Sequence, residues 1–488
     1  MQLKKILISI ASLVGFSYGL SCTTIIVGKD ASADGSLIVS RNVDGPSDSG
    51  AVRFVYHPPL KHGYLYQNHE EPENNFKYQL PNNLMGFSGL PDWQTDNHGY
   101  EESGFNDEGI SVSATETIFS NEKVLKVDPY VSNGVSEEAS VTILLPQIHS
   151  AKEGVSLLGQ IIEKYGSSEG FGVAFADKNE AWYLENAGGH NWVAVKIPAD
   201  KYFVSANQSR IGVIDLNDKE NVMMSSDLVS FATKHGLYKD GEFNFRKIYG
   251  QDNISDAGYN YPRVKYLQNL FTPSQKAKDY AGNDFPTFLT PKNKISIGDV
   301  EHALNSHFEN TKHDPYELQD PSVTARPISV YRTQQSHILS LKDDLPLPIA
   351  NIEYLSLGMG ALSIYVPFYQ GAKIPLEYQI GDNHADNLSA YWKFRKLQML
   401  GMLNFPEYAP IIKARFAMLN KQIQQNQQTF EKEYVALYKK DPKKAQELLD
   451  VFTSATVASV FAVTDNLTNE LITKYSATIN DKYKFPGA

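Results

Sequence analysis

From Cys22 the chain runs Cys-Thr-Thr-Ile-Ile-Val-Gly, which is β-branched and apolar. After an Asp34-Gly35 turn signal it resumes extended character through Ser36-Leu37-Ile38-Val39-Ser40-Arg41-Asn42. This predicts a β-hairpin that opens at Cys22. Residues 110–117 read as another strand. Between Glu137 and Tyr165 the apolar residues Val141, Leu144, Leu145, Ile148, Val155, Leu158, Ile161 and Ile162 recur at helical spacing, with Gly154 as a point of interruption. Apolar runs at 171–176, 181–185, 192–196 and 202–205 are broken by Asp177-Lys178-Asn179 and Gly188-Gly189. They predict a strand meander after the helix.

The stretch 215–320 is more polar, with Gly, Asn, Asp and Pro scattered through it, and reads as an inserted region carrying one or two helices, including 296–307. Strand character returns at 327–332, 336–341 and 361–366. Beyond Asp386 the pattern is helical to near the end, including the Gln-rich 421–438. Asp441-Pro442 separates two of these helices, because proline fits a first turn but not a helix interior. The expected organisation is a leader at 1–21, a main domain at 22–385 with its insertion at about 215–320, and a helical region at 386–488 that either covers the main domain or builds a subunit interface.

The leader has Lys4 and Lys5, an apolar run over 6–16, and Ser17-Tyr18-Gly19-Leu20-Ser21, the pattern of a secretory signal. Small residues at Gly19 and Ser21 favour cleavage before Cys22, which implies an exported protein, periplasmic or secreted. Two other readings stay open. Residues 1–21 can remain as an anchor, or Cys22 can be lipidated, although Gly19-Leu20 fits a lipoprotein site poorly. No later stretch reads as a second membrane span. Across the 488 residues the formal net charge of −11, without a basic block, argues against nucleic acid as a partner. Cys22 is the single cysteine, which excludes an intramolecular disulfide and a thiolate zinc cluster.

An N-terminal cysteine holds a nucleophile and a base in one residue, since its thiol (roughly 8.5) and its α-amine (about 7.7 to 8.0) both titrate near neutral pH. The thiol attacks a carbonyl and the amine accepts the proton, so no histidine is required. The hairpin returns Arg41 and Asp44 toward the thiol, where an arginine favours negative charge and an aspartate can orient the amine. Alone, the two also fit a strand-end ion pair. His57, His62, His69 and His98 match no metal-ligand spacing and read as surface histidines; no metal or cofactor is implied. Gly86-Phe87-Ser88-Gly89-Leu90 lacks the glycine spacing of a serine-hydrolase elbow.

Several pieces in order carry a resemblance. They are Cys22-Thr23-Thr24-Ile25 with Asp34-Gly35-Ser36, Arg41-Asn42-Val43-Asp44, and Asn106-Asp107-Glu108-Gly109-Ile110 running into Ser113-Ala114-Thr115-Glu116-Thr117. Further on come Glu185-Asn186-Ala187-Gly188-Gly189-His190 with Trp192, Ala206-Asn207-Gln208, Arg332-Thr333-Gln334 and Tyr365-Val366-Pro367-Phe368-Tyr369. From Cys22 to about Trp392 the chain resembles the secreted dipeptidases (dipeptidase A-like) of the N-terminal nucleophile hydrolase superfamily, related to penicillin V acylase and bile salt hydrolase. The resemblance implies an α+β fold, a four-layer αββα sandwich of two antiparallel sheets, and a cysteine peptidase acting on dipeptides. It implies that Cys22 is nucleophile and base, that Arg41 and Asp44 support it, that Asn207 helps form the oxyanion hole, and that Arg332 lies near the nucleophile. Thr115 and Glu116 stand where acylase relatives carry an asparagine. A carboxylate at Glu116 would pair with the ammonium of a dipeptide. An acylamide hydrolase of the penicillin acylase type, a lipid-anchored binding protein and a homo-oligomer remain alternatives to test.

Overall fold

The computed structural model describes residues 22–45, 50–68, 74–91, 101–253, 256–275, 283–320, 322–323 and 325–482. The expected leader, His69 and His98 lie outside the described residues.

The opening apolar pattern forms the predicted hairpin, β1 (Thr23–Val27) and β2 (Leu37–Asp44). It is followed by β3 (Ser103–Phe105), β4 (Ser111–Ile118), helix α1 (Glu137–Leu144) and helix α2 (Ala151–Tyr165). The meander supplies β5 (Gly170–Ala176), β6 (Ala181–Ala187), β7 (Asn191–Lys196) and β8 (Tyr202–Ser205). Next come β9 (Val222–Met224), α3 (Tyr261–Phe271), β10 (Phe288–Leu289) and α4 (Ile297–Asn305). The last strands are β11 (Thr333–Leu341), β12 (Asn351–Leu357) and β13 (Val366–Tyr369), and the chain ends in helices α5 (Ala390–Leu403), α6 (Phe405–Tyr438) and α7 (Pro442–Lys482).

The strands form a seven-stranded sheet, β10-β8-β1-β2-β11-β12-β13, and a six-stranded sheet, β9-β7-β6-β5-β4-β3, whose paired neighbours are antiparallel. Between the sheets, Ile26, Val39, Phe203 and Leu339 of the first meet Ala174, Tyr183, Val193 and Val195 of the second. The outer face of the six-stranded sheet buries Val173, Phe175, Trp182 and Trp192 with α1 and α2 residues such as Val141, Val155 and Leu158. The outer face of the seven-stranded sheet buries Ile25, Ile38 and Ile338 with Val264 and Leu267 of α3, Leu304 of α4 and Phe430 of α6. This is the expected αββα sandwich. Its central strands are covered on both faces, which is why they read as continuous apolar runs rather than alternating ones.

Several boundaries differ from the sequence reading. The helix expected over 137–165 is two, because Pro146 sits in a 3-10 turn and Ser150 caps α2 by accepting from the Glu153 amide at 3.1 Å. Gly154 does not interrupt α2; it lets the helix approach Phe175, which a Cβ would meet at 2.6 Å. The strand expected at 327–332 is loop, with pairing starting at Thr333, and 361–366 yields only the short β13 from Val366. Within 215–320, β9 and β10 each extend an edge of a main sheet. Helix α7 also corrects the expectation that no later stretch is apolar enough for a membrane span. Residues 442–479 pass by length and composition, an 18-residue window within them reaching a mean hydropathy of 1.4, because small and β-branched residues fill the stretch between its charges. Val457, Val460, Leu467 and Leu471 of this helix pack against α5 and α6.

Two β-bulges interrupt the ladders, one between Ala114 and Glu116 on β4 and one between Thr333 and Gln335 on β11. At the centre, Leu339 is fully buried in the layer between the sheets. Leu339→Ala should lower stability by about 2–5 kcal/mol, measured as a lower midpoint in chemical denaturation with an unchanged slope.

Candidate active site

Cys22 immediately precedes β1, an interior strand of the seven-stranded sheet flanked by β2 and β8. On one side Thr24 pairs with Arg41, and on the other with Ser205, so continuing the register brings Asn207 alongside Cys22. The thiol is completely buried. Arg41 Nη2 donates to Cys22 Sγ at 2.8 Å. The same nitrogen lies 2.8 Å from Glu137 Oε1 at the start of α1, and Nη1 lies 2.6 Å from Glu102 Oε2 just before β3. Nη1 also donates to the Ala114 carbonyl at the β4 bulge. One buried guanidinium therefore joins the thiol to two buried carboxylates, with its positive charge placed to face a thiolate.

A second buried arginine holds the other flank. Arg263, on α3, donates from Nη1 to the Cys22 carbonyl at 2.5 Å and to Thr23 Oγ1 at 2.9 Å. Its Nη2 donates to Asn207 Oδ1 at 3.0 Å and to Asn260 Oδ1 at 2.7 Å. With its oxygen committed to Arg263, the Asn207 side chain has its amide nitrogen as the remaining donor end. Asn260 also brackets the Asn207 backbone: Oδ1 accepts from its amide and Nδ2 donates to its carbonyl. Farther along the same loop, Glu185 of β6 accepts from Ser209 Oγ at 2.6 Å and from the Arg210 amide at 2.7 Å. Burial pushes the Glu185 carboxyl up to about 7 although these bonds oppose the rise.

Asp44, at the end of β2, accepts from Arg326 Nη2 and Thr333 Oγ1. Arg332 donates to the Asp44 and Gly45 carbonyls, both at 3.0 Å, and to the Tyr259 hydroxyl at 3.1 Å. It thus braces the turn after β2, and the later arginine brought onto Cys22 is Arg263. Thr115 and Glu116 lie in β4, and their side chains fall outside the described residues.

Sequence reasoning missed Glu102, Glu137, Arg263, Asn260 and Arg326, which are remote in the chain and converge only through the fold. His337 had a traceable signal, since it pairs with Arg41 across β2 and β11. Its Nε2 lies 2.9 Å from Ser113 Oγ and its Nδ1 3.0 Å from Gln335 Oε1. Burial, and then the charge of Arg41, hold this imidazole well below its ordinary range, so it stays neutral. Away from Cys22, His307, Asp314 and Glu317 offer converging potential metal ligands. Both His307 nitrogens are engaged, Nδ1 with Asp314 at 2.9 Å and Nε2 with the Lys413 ammonium at 2.7 Å. His57, from the segment read as surface histidines, meets Glu101 at 2.6 Å.

Two outcomes follow from these charges. Arg41→Ala leaves Glu102 and Glu137 buried without their cation and should cost about 3–5 kcal/mol in denaturant unfolding, a loss that the triple change with Glu102→Gln and Glu137→Gln partly restores. Glu353 on β12 is buried and bonded by Ser103 Oγ at 3.1 Å; burial, with a smaller push from Glu101, raises its carboxyl to about 8. A raised carboxyl contributes stability that is complete below its ordinary value of 4.5 and is lost as pH rises through about 8. The melting temperature of Glu353→Gln should therefore gain on the wild type steadily from pH 5 to pH 8.

Comparison with known proteins gives the family. The profile of peptidase family C69 matches residues 21–417. A protein of Salmonella dublin named "Probable dipeptidase" is 47% identical over 385 residues, covering 78% of this chain and 87% of its own length. "Probable dipeptidase B" of Lactococcus lactis subsp. lactis is 34% identical over 443 residues, covering 87% of this chain and 92% of its own. The solved structure of penicillin V acylase from Agrobacterium tumefaciens aligns over 71% of this chain and 86% of its own at TM-score 0.31 and 10% identity, too distant to add to the sandwich already described. With the profile matched across most of its length and relatives of this similarity, the chain belongs to peptidase family C69.

Proposed function

We propose that this protein is an exported dipeptidase whose nucleophile is the thiol of Cys22 once residues 1–21 are removed. The observation that carries the reading is the buried thiol on Arg41 Nη2, with Asn207 oriented beside it through Arg263. The names of the relatives support dipeptides as substrates, and the family match begins at residue 21, one residue before the proposed nucleophile.

The freed α-amine of Cys22 takes the thiol proton, and the sulfur then attacks the scissile carbonyl. Arg41 holds the thiolate until attack. The negative charge that develops on the carbonyl oxygen is met by the Asn207 amide. The protonated α-amine then gives its proton to the departing amino acid as the C–N bond breaks, leaving a thioester on Cys22. Water, deprotonated by the same amine, attacks the thioester, and collapse of the second tetrahedral intermediate releases the first amino acid and restores the thiol. Arg332 and Arg326 keep Asp44 and its turn in place at the end of β2, beside the strand that carries Cys22. Before cleavage the Cys22 nitrogen is an amide without basicity, so removal of the leader would switch on the base.

Intact mass and N-terminal sequencing of the exported protein should find Cys22 with a free amine. Dipeptide hydrolysis should vanish in Cys22→Ser. A retained leader or a lipidated Cys22 on fully active protein would overturn the reading. Asn207→Ala should lower kcat by about 10²–10³-fold, or about 2.7–4 kcal/mol of transition-state stabilisation, with a much smaller change in KM.

A further inference from the structure

Arg41 is one cation held by two buried carboxylates. Glu137 uses both oxygens, Oε1 on Arg41 and Oε2 accepting from Thr117 Oγ1 at 3.2 Å. Glu102 uses one. Its Oε2 takes Arg41 Nη1 at 2.6 Å, while Oε1 is buried and has no hydrogen-bond partner among the described residues. The whole residue is only 2% exposed. A buried carboxylate oxygen without a donor is costly, and the surplus negative charge on this side of Arg41 makes it more so. Such an atom beside a nucleophile is suited to a cation that arrives with the substrate.

Resting on the dipeptidase reading above, we infer that Glu102 Oε1 receives the free α-ammonium of the substrate and thereby selects dipeptides over N-blocked or fatty acyl amides. The spacing agrees. Arg41 bonds Sγ through Nη2 and Glu102 through Nη1, so thiol and carboxylate sit on the two amino groups of one guanidinium. In a dipeptide the ammonium nitrogen lies about 2.5 Å from the scissile carbon, two bonds away. With that carbon at about 3–3.5 Å from sulfur, the ammonium reaches a carboxylate so placed with a charge-assisted bond of about 2.7–2.9 Å. An acyl group without the amine leaves Oε1 unpaired, and that penalty is the source of selectivity. Glu102, rather than Glu116, thus takes the role of ammonium partner.

The test compares alanyl-alanine as substrate with propionyl-alanine, its analogue lacking only the amine, as competing ligand of the matured enzyme. The wild type should bind the analogue at least about tenfold more weakly than the dipeptide, the value of one hydrogen bond to a charged group. In Glu102→Gln the KM for alanyl-alanine should rise about tenfold or more while Ki for propionyl-alanine moves by less than about threefold. Equal binding of the two by the wild type, an equal loss for both in the variant, or loss of discrimination in Glu116→Gln but not in Glu102→Gln would overturn the assignment. Should Glu102→Gln fail to fold, Glu102→Asp keeps the charge for Arg41 but draws the second oxygen back. Discrimination should then fall by at least about threefold, and unchanged discrimination overturns the assignment. Absence of any dipeptide hydrolysis by the matured wild type would overturn the dipeptidase reading as well, which separates that failure from this one.

Discussion

The structure turns on a guanidinium in a place where charge is expensive. Arg41 lies wholly buried between two sheets, and it is tolerable there only because Glu102, Glu137 and the Ala114 carbonyl surround it. Each partner comes from a different element, namely the start of β3, the first turn of α1 and the bulge of β4. The ion cluster therefore ties the six-stranded sheet and its helical layer to the hairpin of the other sheet, and the thiol is the fourth group around the same cation. The ion cluster and the thiol share this one cation, so neither can be altered there without the other.

Arg263 plays the matching part from the outer layer. It enters from α3, within a stretch whose polar composition reads as an insertion, and bonds the backbone of Cys22 together with the Asn207 side chain. That stretch is no appendage, since it also supplies β9 and β10 to the edges of the two sheets. Tyr259, just ahead of α3, is stacked by Arg263 at 5.1 Å and Arg326 at 5.2 Å and bonded by Arg332. Three arginines are thereby gathered around one aromatic ring, each also held by the groups it bonds.

The hairpin and the meander were legible because their apolar runs are continuous, the helices at the end through their helical pattern, and the layered sandwich through motif resemblance. The approach of Arg41 to Cys22 was legible through the hairpin, Cys22 itself stood out by its place after the expected leader, and Asn207 was picked out through motif resemblance. Helix boundaries at 145–150 were not, because one proline and one capping serine outweighed a periodic pattern that continues across them. The Asn106 to Gly109 motif shows its physical content only in three dimensions. Asn106 Oδ1 accepts from the Glu108 and Ile110 amides, and Gly109 takes φ +81° where a Cβ would meet Asn351. Glu102, Glu137 and Arg263 carry no local signature at all. An acidic residue before a short strand, or an arginine in a helix, reads as solvated surface until long-range pairing buries it.

The bulge on β4 has a further meaning for how this chain can vary. A strand alternates faces with a period of two, so one extra residue re-aims everything beyond it. Here the irregularity falls between Ala114, whose carbonyl takes Arg41, and Glu116. Removing a single residue would leave a sheet that pairs more regularly than the natural one, and it would shift that carbonyl out of step with the cation. In this strand the number of residues sets where that carbonyl meets the cation, and length itself behaves as a structural character.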